Sequence, residues 1–433
     1  QVHSVRIKAG KATYSNRYMR TAKLTAEEEA GEAFEMKLGD LMSWGAIPRM
    51  MLHLLKIKLG VIPDLIGAGE STANTSLEFH AGRLLALSDR GLPYVIRMMC
   101  DGVIETIGQA TFGGQMKSPF TPHPKKHPTT GKLHAFGNQF IDMRKPYVTY
   151  YVLDKNGKLE RQFPIAGIER PLMMHDFAIT ENYAIFFDFP LLFKPDVLLR
   201  GKVPIVFDKT QRSRMGILRL NATDSSEMRW FDMPEPRTDH ANILLSAVSR
   251  ETPGSVRVCS NQLSSVIKIY TCDFSELGVD LCKFLEGLDP DALPFLHSTT
   301  LNLDTGEVKR ASVLPASSRS CSTSMELPQV RRSLVGRKTR FGYCSAVGEG
   351  VRGFTSEMKV DLQAPTPETA LVGRIVYGDG LVGGECIFIP SQQPGDAGGG
   401  GGVDLAGSTA GTEEDDGYLV TFVNRGDGTG NSG

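Results

Sequence analysis

Alternating apolar and polar positions, interrupted by tight turns, dominate the chain. Four pairs of such runs are separated by only a few residues: 77–79 and 83–87, 98–100 and 103–105, 150–153 and 159, and 300–303 and 308. Two of the turns contain Asp-Gly or Asn-Gly, which are typical of hairpins because both central residues adopt positive φ. The pattern predicts repeated antiparallel sheets, and a radial stack of such sheets is a β-propeller.

Two segments depart from this strand pattern. Residues 27–60 are helix-prone, and 50–59 are strongly apolar with Lys56 and Lys58 interspersed. This segment is either a helical insertion packed on the sheets or an interfacial helix that lies in a membrane surface with its lysines reaching the headgroups. Residues 394–411 are rich in glycine, which predicts a surface loop inserted between strands at 387–389 and 418–420.

The composition restricts the possible functions. The 433 residues carry 48 basic and 49 acidic side chains, and the 46 Gly and 24 Pro favour many short strands over long helices. A net charge of −1 argues against a nucleic-acid partner. Seven Cys with no C-x-x-C pair are interpreted as reduced thiols in a cytosol-like compartment. No apolar run is long enough to predict a transmembrane helix.

The histidines do not form a compact metal motif. His123 and His127 have helical zinc spacing, but Pro122, Pro124 and Pro128 exclude that helix. His175 lies inside an apolar run, where the residues alone favour a structural, hydrogen-bonded role. Without further comparison, the sequence indicates an all-β protein with scattered histidines.

The chain resembles the carotenoid cleavage dioxygenases over nearly its whole length. The matching stretches occur in the same order along the chain: 73–75, 83–88, 91–95, 123–125, 173–183, 230–231, 336–343, 384–385 and 413–419. The resemblance implies a single domain over 1–433, an all-β, seven-bladed β-propeller that is incomplete here. It also implies a helical cap that includes a membrane-dipping segment around 48–59.

The resemblance also implies a metal site. In this family a non-haem Fe(II) ion lies on the propeller axis and is held by four histidines from different blades, and the matching stretches assign His123, His175 and His240 as three of these ligands. Neutral imidazoles leave the charge of the ion uncancelled and positions open for O₂. Carboxylates that accept the second ring N–H of the ligands are assigned to Glu326, Glu385 and Asp89.

Three departures from the family pattern accompany these assignments. Asp89 stands where the family has Glu, so its contact with His175 is expected to be longer or bridged by water. The stretch after His240 reads Ala-Asn-Ile-Leu-Leu-Ser, whereas the family has Asn-Ala-Trp-Glu-Glu. The fourth histidine belongs to a Phe-His-Gly stretch that would follow Gly433, so it is absent from this chain, which is interpreted as a fragment that lacks both ends.

The resemblance predicts an Fe(II)-dependent dioxygenase that cleaves a conjugated double bond of a carotenoid or apocarotenoid with O₂. The nearest similarity is to plant-type enzymes that cut the 9,10(9′,10′) bonds and yield ionone-type ketones. Cleavage of a 9-cis-epoxycarotenoid at 11,12 is the alternative reaction, with stilbene cleavage more remote. A truncated or inactive paralogue that binds a hydrophobic isoprenoid without turnover is the non-enzymatic alternative. The expected location is the cytoplasm or plastid, with peripheral membrane association.

Overall fold

The structure is a computed structural model of the whole chain. It describes residues 1–34, 45–65, 70–116, 119–139, 145–200, 205–208, 210–234, 244–252, 266–274, 293–318, 320, 323–348, 353–391 and 413–425. His240 and the glycine-rich segment 394–411 lie outside these ranges, so the predictions made for them stay predictions.

Strands account for most of the regular secondary structure of the described residues. In chain order they are β1 (Val2–Lys8), β2 (Lys11–Arg17), β3 (Ser76–His80), β4 (Arg83–Leu87), β5 (Tyr94–Met98), β6 (Ile104–Gln109), β7 (Lys125–Lys126), β8 (Leu133–Asn138), β9 (Val148–Leu153), β10 (Leu159–Pro164), β11 (Ala178–Ile179), β12 (Tyr183–Asp188), β13 (Leu191–Phe193), β14 (Ile205–Phe207), β15 (Arg214–Arg219), β16 (Arg229–Asp232), β17 (Leu244–Thr252), β18 (Val266–Phe274), β19 (Pro294–Asn302), β20 (Val308–Ser312), β21 (Glu326–Gln329), β22 (Phe341–Val347), β23 (Phe354–Asp361), β24 (Leu371–Val376), β25 (Leu381–Gly383), β26 (Ile387–Pro390), β27 (Gly417–Val420) and β28 (Val423–Arg425).

All four predicted hairpins are confirmed. Strands β3 and β4 pair up to His80 and Arg83, β5 and β6 pair from Met98 and Ile104, and β9 pairs with β10 and β19 with β20. The strands that flank the glycine-rich segment, β26 and β27, also pair with each other. Local turn chemistry is enough to determine the four predicted hairpins, because each of them is joined by a short connection, whereas residues 391–416 separate β26 from β27.

The strands form five antiparallel sheets of four or more strands. The first contains β3 to β6, the second β7 to β10, the third β11, β12, β15 and β16, the fourth β17 to β20, and the fifth β21 to β25 together with β28. The fold is propeller-like, but the predicted count of seven blades is wrong: the described residues contain five. The reason is that β1–β2 and β26–β27 form only two-stranded sheets, while β25 and β28 extend the fifth sheet.

The hydrophobic core lies between consecutive sheets. Each major cluster combines buried side chains from two neighbouring sheets: Leu85 with Tyr151, Phe136 with Phe186, Ile217 with Ile267, and Tyr270 with Met358. Because strands of both neighbours bury apolar side chains in the same cluster, the sheets are held face to face in chain order. At the junction of the second and third sheets, side chains at and just before the start of β7 contact side chains just before β11.

Two α-helices lie among the described residues that precede β3. Helix α1 (Ala22–Ala30) begins after Thr21, whose hydroxyl accepts a hydrogen bond from Leu24 N–H, and α2 spans Ala46–Lys58. Both overlap the predicted helical segment 27–60, although α1 begins earlier. Their role as a cap is not confirmed and stays a prediction. None of the described helices is long and apolar enough to cross a bilayer.

The four cysteines in the described ranges are thiols that are not joined in disulfide bonds. Cys272, Cys344 and Cys386 are buried, whereas Cys100 is exposed. Buried thiols of this kind pack as small apolar side chains.

Candidate metal centre

His123 and His175 come together at the junction of the second and third sheets. His123 lies just before β7 and His175 just before β11, and each of these strands lies at the edge of its own sheet. The two Nε2 atoms are 2.9 Å apart, and the ring centroids are 4.6 Å apart. Residues that are 52 positions apart in sequence therefore present two imidazole nitrogens at one point.

The two imidazoles have different electrostatic surroundings. Burial lowers the pKa of His123 to about 4, and the neighbouring Asp176 only partly opposes this effect. Burial also lowers the pKa of His175, but its hydrogen bond with Asp89 and the charge of Asp89 outweigh that effect, so the net direction is upward. His123 is therefore a neutral imidazole near neutral pH, the form that can bind a metal ion.

Asp89 contacts His175 directly. Its Oδ1 accepts a hydrogen bond from Nδ1 of His175 at 2.8 Å, so the longer or water-bridged contact expected from the shorter side chain is wrong. The backbone after β4 lies close enough to His175 to compensate for the missing methylene group. This contact places the proton of His175 on Nδ1, so its Nε2 carries the lone pair, faces Nε2 of His123 at 2.9 Å and is the atom that would bind a metal ion.

The other two predicted carboxylates lie on the fifth sheet and beside it. Glu326 begins β21 and is 5% exposed, and its Oε2 accepts a hydrogen bond from Leu327 N–H at 3.1 Å. Glu385, between β25 and β26, is exposed and accepts a hydrogen bond from the side chain of Gln329, the last residue of β21. That these two glutamates accept the ring N–H of metal-binding histidines stays a prediction.

The structure brings together two of the three predicted ligands. Across the described ranges, no three His, Cys, Asp or Glu side chains are gathered so that they could hold a metal ion. The third predicted ligand, His240, lies outside those ranges. The described part of the candidate centre therefore consists of His123, His175 and Asp89.

Sequence reasoning missed two contacts that join the histidine segments. Lys125 Nζ lies 2.8 Å from Asp176 Oδ1, and the Asp176 side chain is fully buried. The Thr121 hydroxyl lies between the backbones of His123 and His175. The only sequence signal for the ion pair was a charged residue inside the apolar run around His175, and the threonine contact has no sequence signal because its partners are backbone groups.

A cavity of about 930 Å³ lies elsewhere, at the β15–β16 turn and the turn after β19. Its polar lining includes Arg219, Asp224, Glu227 and Arg229, and it includes none of the predicted ligands. The histidine pair is therefore separate from this cleft.

Comparison with known proteins assigns the chain to a family. The family described as retinal pigment epithelial membrane protein matches residues 1–432. The carotenoid 9,10(9′,10′)-cleavage dioxygenase 1 of Phaseolus vulgaris is 34% identical over 431 residues, which cover 98% of this chain and 71% of the relative. The enzyme of the same name from Arabidopsis thaliana is 33% identical, with the same coverage. A 9-cis-epoxycarotenoid dioxygenase of Oryza sativa subsp. japonica is 31% identical, over 94% of this chain and 57% of the relative.

Solved structures share the fold. The lignostilbene dioxygenase of Pseudomonas brassicacearum superposes with a TM-score of 0.70 at 23% identity, covering 98% of this chain and 78% of that one. The cobalt-substituted apocarotenoid oxygenase of Synechocystis gives a TM-score of 0.68 at 21% identity, with the same coverage. The match over 1–432, together with relatives more than 30% identical along most of both chains, shows that the chain belongs to the retinal pigment epithelial membrane protein family, the carotenoid oxygenases that its motifs resemble.

Proposed function

We propose that this chain is a carotenoid cleavage dioxygenase that splits a conjugated double bond of a carotenoid or apocarotenoid with O₂ at the 9,10(9′,10′) position, giving two carbonyl products. The observation that carries the proposal is the convergence of His123 and His175 from two adjacent sheets, with Asp89 behind His175. The similarity to plant 9,10(9′,10′)-cleaving enzymes supports the choice of bond.

The described residues fit a non-haem metal ion. Burial keeps the His123 ring neutral, and the hydrogen bond to Asp89 leaves Nε2 of His175 available. We propose Fe(II) as the ion, held by His123, His175 and His240, with Glu326 and Glu385 supporting further ligands. When bound, the ion supplies the activation of O₂. The protein itself orients the rings and fixes their tautomers, and the position of the bound polyene, not an acid–base residue, determines which double bond reacts.

Product analysis tests this function. The chain, reconstituted anaerobically with Fe(II), is mixed with β-carotene or an apocarotenal and then exposed to O₂, and the products are identified by mass spectrometry. An ionone-type ketone is expected. Products of 11,12 cleavage would indicate the epoxycarotenoid reaction instead, and the absence of any product from iron-loaded chain would favour the isoprenoid-binding alternative.

The charge of Asp89 is expected to strengthen metal binding. Asp89→Asn preserves the size of the side chain but removes the carboxylate that accepts the His175 proton, and the loss of such an outer partner weakens metal affinity by about 10–100-fold. Anaerobic titration with Fe(II) measures the change, with Asp304→Asn at an exposed hairpin turn as the matched control. Equal affinity for Fe(II) in the two variants would show that Asp89 does not support metal binding. Asp89→Glu is expected to bring no gain, because the aspartate contact is already direct.

Helix α2 is proposed to lie in a membrane surface. Leu54 and Leu55 are 53% and 49% exposed, and Met51, Leu52 and Leu59 are also exposed on and just after this helix. Cations at its end, Lys56 and Lys58, can reach lipid headgroups. Such a contact would give the protein access to a substrate that is insoluble in water.

Replacing Leu54 and Leu55 by Glu is expected to lower the affinity for phosphatidylcholine vesicles by at least about tenfold, because each buried leucine contributes about 1.5–3 kcal/mol. Vesicle sedimentation measures the effect. The matched control is Ile375→Glu with Val376→Glu, two exposed apolar positions on β24. If both double variants bind vesicles as the unchanged chain does, α2 is not the membrane contact.

A further inference from the structure

Thr121 connects the two segments that carry the histidine pair. Its side chain is 3% exposed, and its hydroxyl donates a hydrogen bond to the His175 carbonyl at 3.3 Å while it accepts one from the His123 N–H at 3.1 Å. The N–H of Thr121 donates to the Phe136 carbonyl on β8 at 2.7 Å. One buried hydroxyl therefore joins the backbones of both histidines and is itself anchored to the second sheet.

We infer that Thr121 is a positioning residue that fixes the separation and orientation of His123 and His175, an inference that rests on the proposed metal-binding function of this pair. A hydroxyl can donate and accept at the same time, so a single group can serve a carbonyl of one segment and an N–H of the other. Neither backbone group takes part in a sheet, because β7 begins at Lys125 and β11 at Ala178.

Two other contacts each hold one segment, and the Lys125–Asp176 ion pair joins the two segments through side chains beside the histidines and not through the histidine backbones. Asn138 Nδ2 donates to the Met174 carbonyl at 3.2 Å, which anchors the His175 segment to β8. The Ser76 hydroxyl donates to the Pro122 carbonyl, which anchors the His123 segment to β3. Thr121 is the described side chain whose hydroxyl contacts the backbone of both histidines, so its removal would loosen the His123 backbone relative to the His175 backbone even with the ion pair in place.

Two substitutions separate the hydroxyl from the shape of the side chain. Thr121→Val keeps the volume and the branched carbon but removes both hydrogen bonds, whereas Thr121→Ser keeps the hydroxyl and loses only a methyl group. The matched control is Thr299→Val, because Thr299 is fully buried on β19 and its hydroxyl has no hydrogen-bond partner among the described residues. A purely structural role for Thr121 would affect stability without changing the geometry at the histidines.

The first test uses Co(II) as the probe in anaerobic titrations of the full chain, followed through the visible absorption bands of the metal. Thr121→Val is expected to weaken Co(II) binding by at least about tenfold and to change the band pattern, since loss of a group that orients a ligand costs about 10–100-fold. Thr121→Ser and Thr299→Val are expected to retain the affinity within about twofold. A folded Thr121→Val protein with unchanged affinity and bands would overturn the inference.

The second test needs no metal and so separates this inference from the proposed function. In metal-free chain with isotopically labelled histidine, magnetic resonance detects the hydrogen bond between the Nε2 atoms of His123 and His175. This signal is expected to disappear in Thr121→Val and to persist in Thr121→Ser. Its persistence in Thr121→Val would overturn the inference even if the chain binds metal. If the unchanged chain binds no metal but the signal is lost only in the valine variant, the inference holds and the proposed function fails.

If Thr121→Val does not fold, Thr121→Ser alone decides the outcome. The hydroxyl contacts predict that the serine variant keeps both the metal affinity and the magnetic resonance signal. A tenfold loss of Co(II) affinity in a folded Thr121→Ser protein would show that the methyl packing, and not the hydroxyl, holds the pair.

Discussion

His175→Ala is expected to lower the affinity for Fe(II) by more than about a hundredfold and to abolish cleavage of the polyene. Loss of a carboxylate behind a ligand already costs about 10–100-fold in metal affinity, and loss of the ligand itself removes a direct bond. The substitution also leaves Asp89 without the imidazole that it contacts at 2.8 Å. His123 alone would then remain of the described pair.

Anaerobic titration of the chain measures this change, with about one Fe(II) per chain expected before substitution. His80→Gln is the matched control, because His80 is a buried histidine on β3 whose Nε2 contacts the Asp154 carbonyl and not another histidine. That variant is expected to bind Fe(II) normally. If His175→Ala binds Fe(II) as tightly as the unchanged chain, His175 is not a ligand of the metal.

Local sequence signals predicted the hairpins but could not predict the number of blades. Each hairpin turn contains a glycine with positive φ, a backbone conformation that glycine adopts readily, so residue type alone predicts these turns. The four glycines are Gly82, Gly102, Gly157 and Gly306. The blade count depends on pairing between distant strands. Strand β12 pairs with β15 across the β13–β14 hairpin, and β25 pairs with β28 across β26 and β27, and no local pattern reports either pairing.

The candidate site was reached through family motifs because its geometry has no local signature. His123 and His175 lie on different sheets, and the i,i+4 spacing of His123 and His127 pointed to a motif that the prolines exclude. His127 instead contacts the Glu181 carbonyl. The direct Asp89 contact was missed for a related reason, since side-chain length predicts reach only when the backbone position is known.

Breaking the ion pair between Lys125 and Asp176 is expected to lower the stability of the protein strongly. Their side chains are 17% and 0% exposed, and Lys125 Nζ lies 2.8 Å from Asp176 Oδ1. Lys125→Met would leave the buried Asp176 carboxylate without this cation, and breaking a buried pair by removing one partner costs about 3–5 kcal/mol. The free energy of unfolding in urea is expected to fall by that amount. The double variant Lys125→Met with Asp176→Asn is expected to recover most of the loss, because it also removes the buried negative charge that Lys125 balances.

An exposed pair of similar geometry provides the control. Lys309 Nζ lies 2.9 Å from Glu307 Oε1, but the two side chains are 70% and 53% exposed, so Lys309→Met is expected to cost less than about 1 kcal/mol. A loss in Lys125→Met no larger than in Lys309→Met would contradict the prediction. Since Lys125 follows His123 by two residues and Asp176 is adjacent to His175, the pair ties the same two segments that Thr121 joins. We therefore expect Lys125→Met to weaken metal binding as well as folding, and the double variant to restore folding more completely than metal affinity.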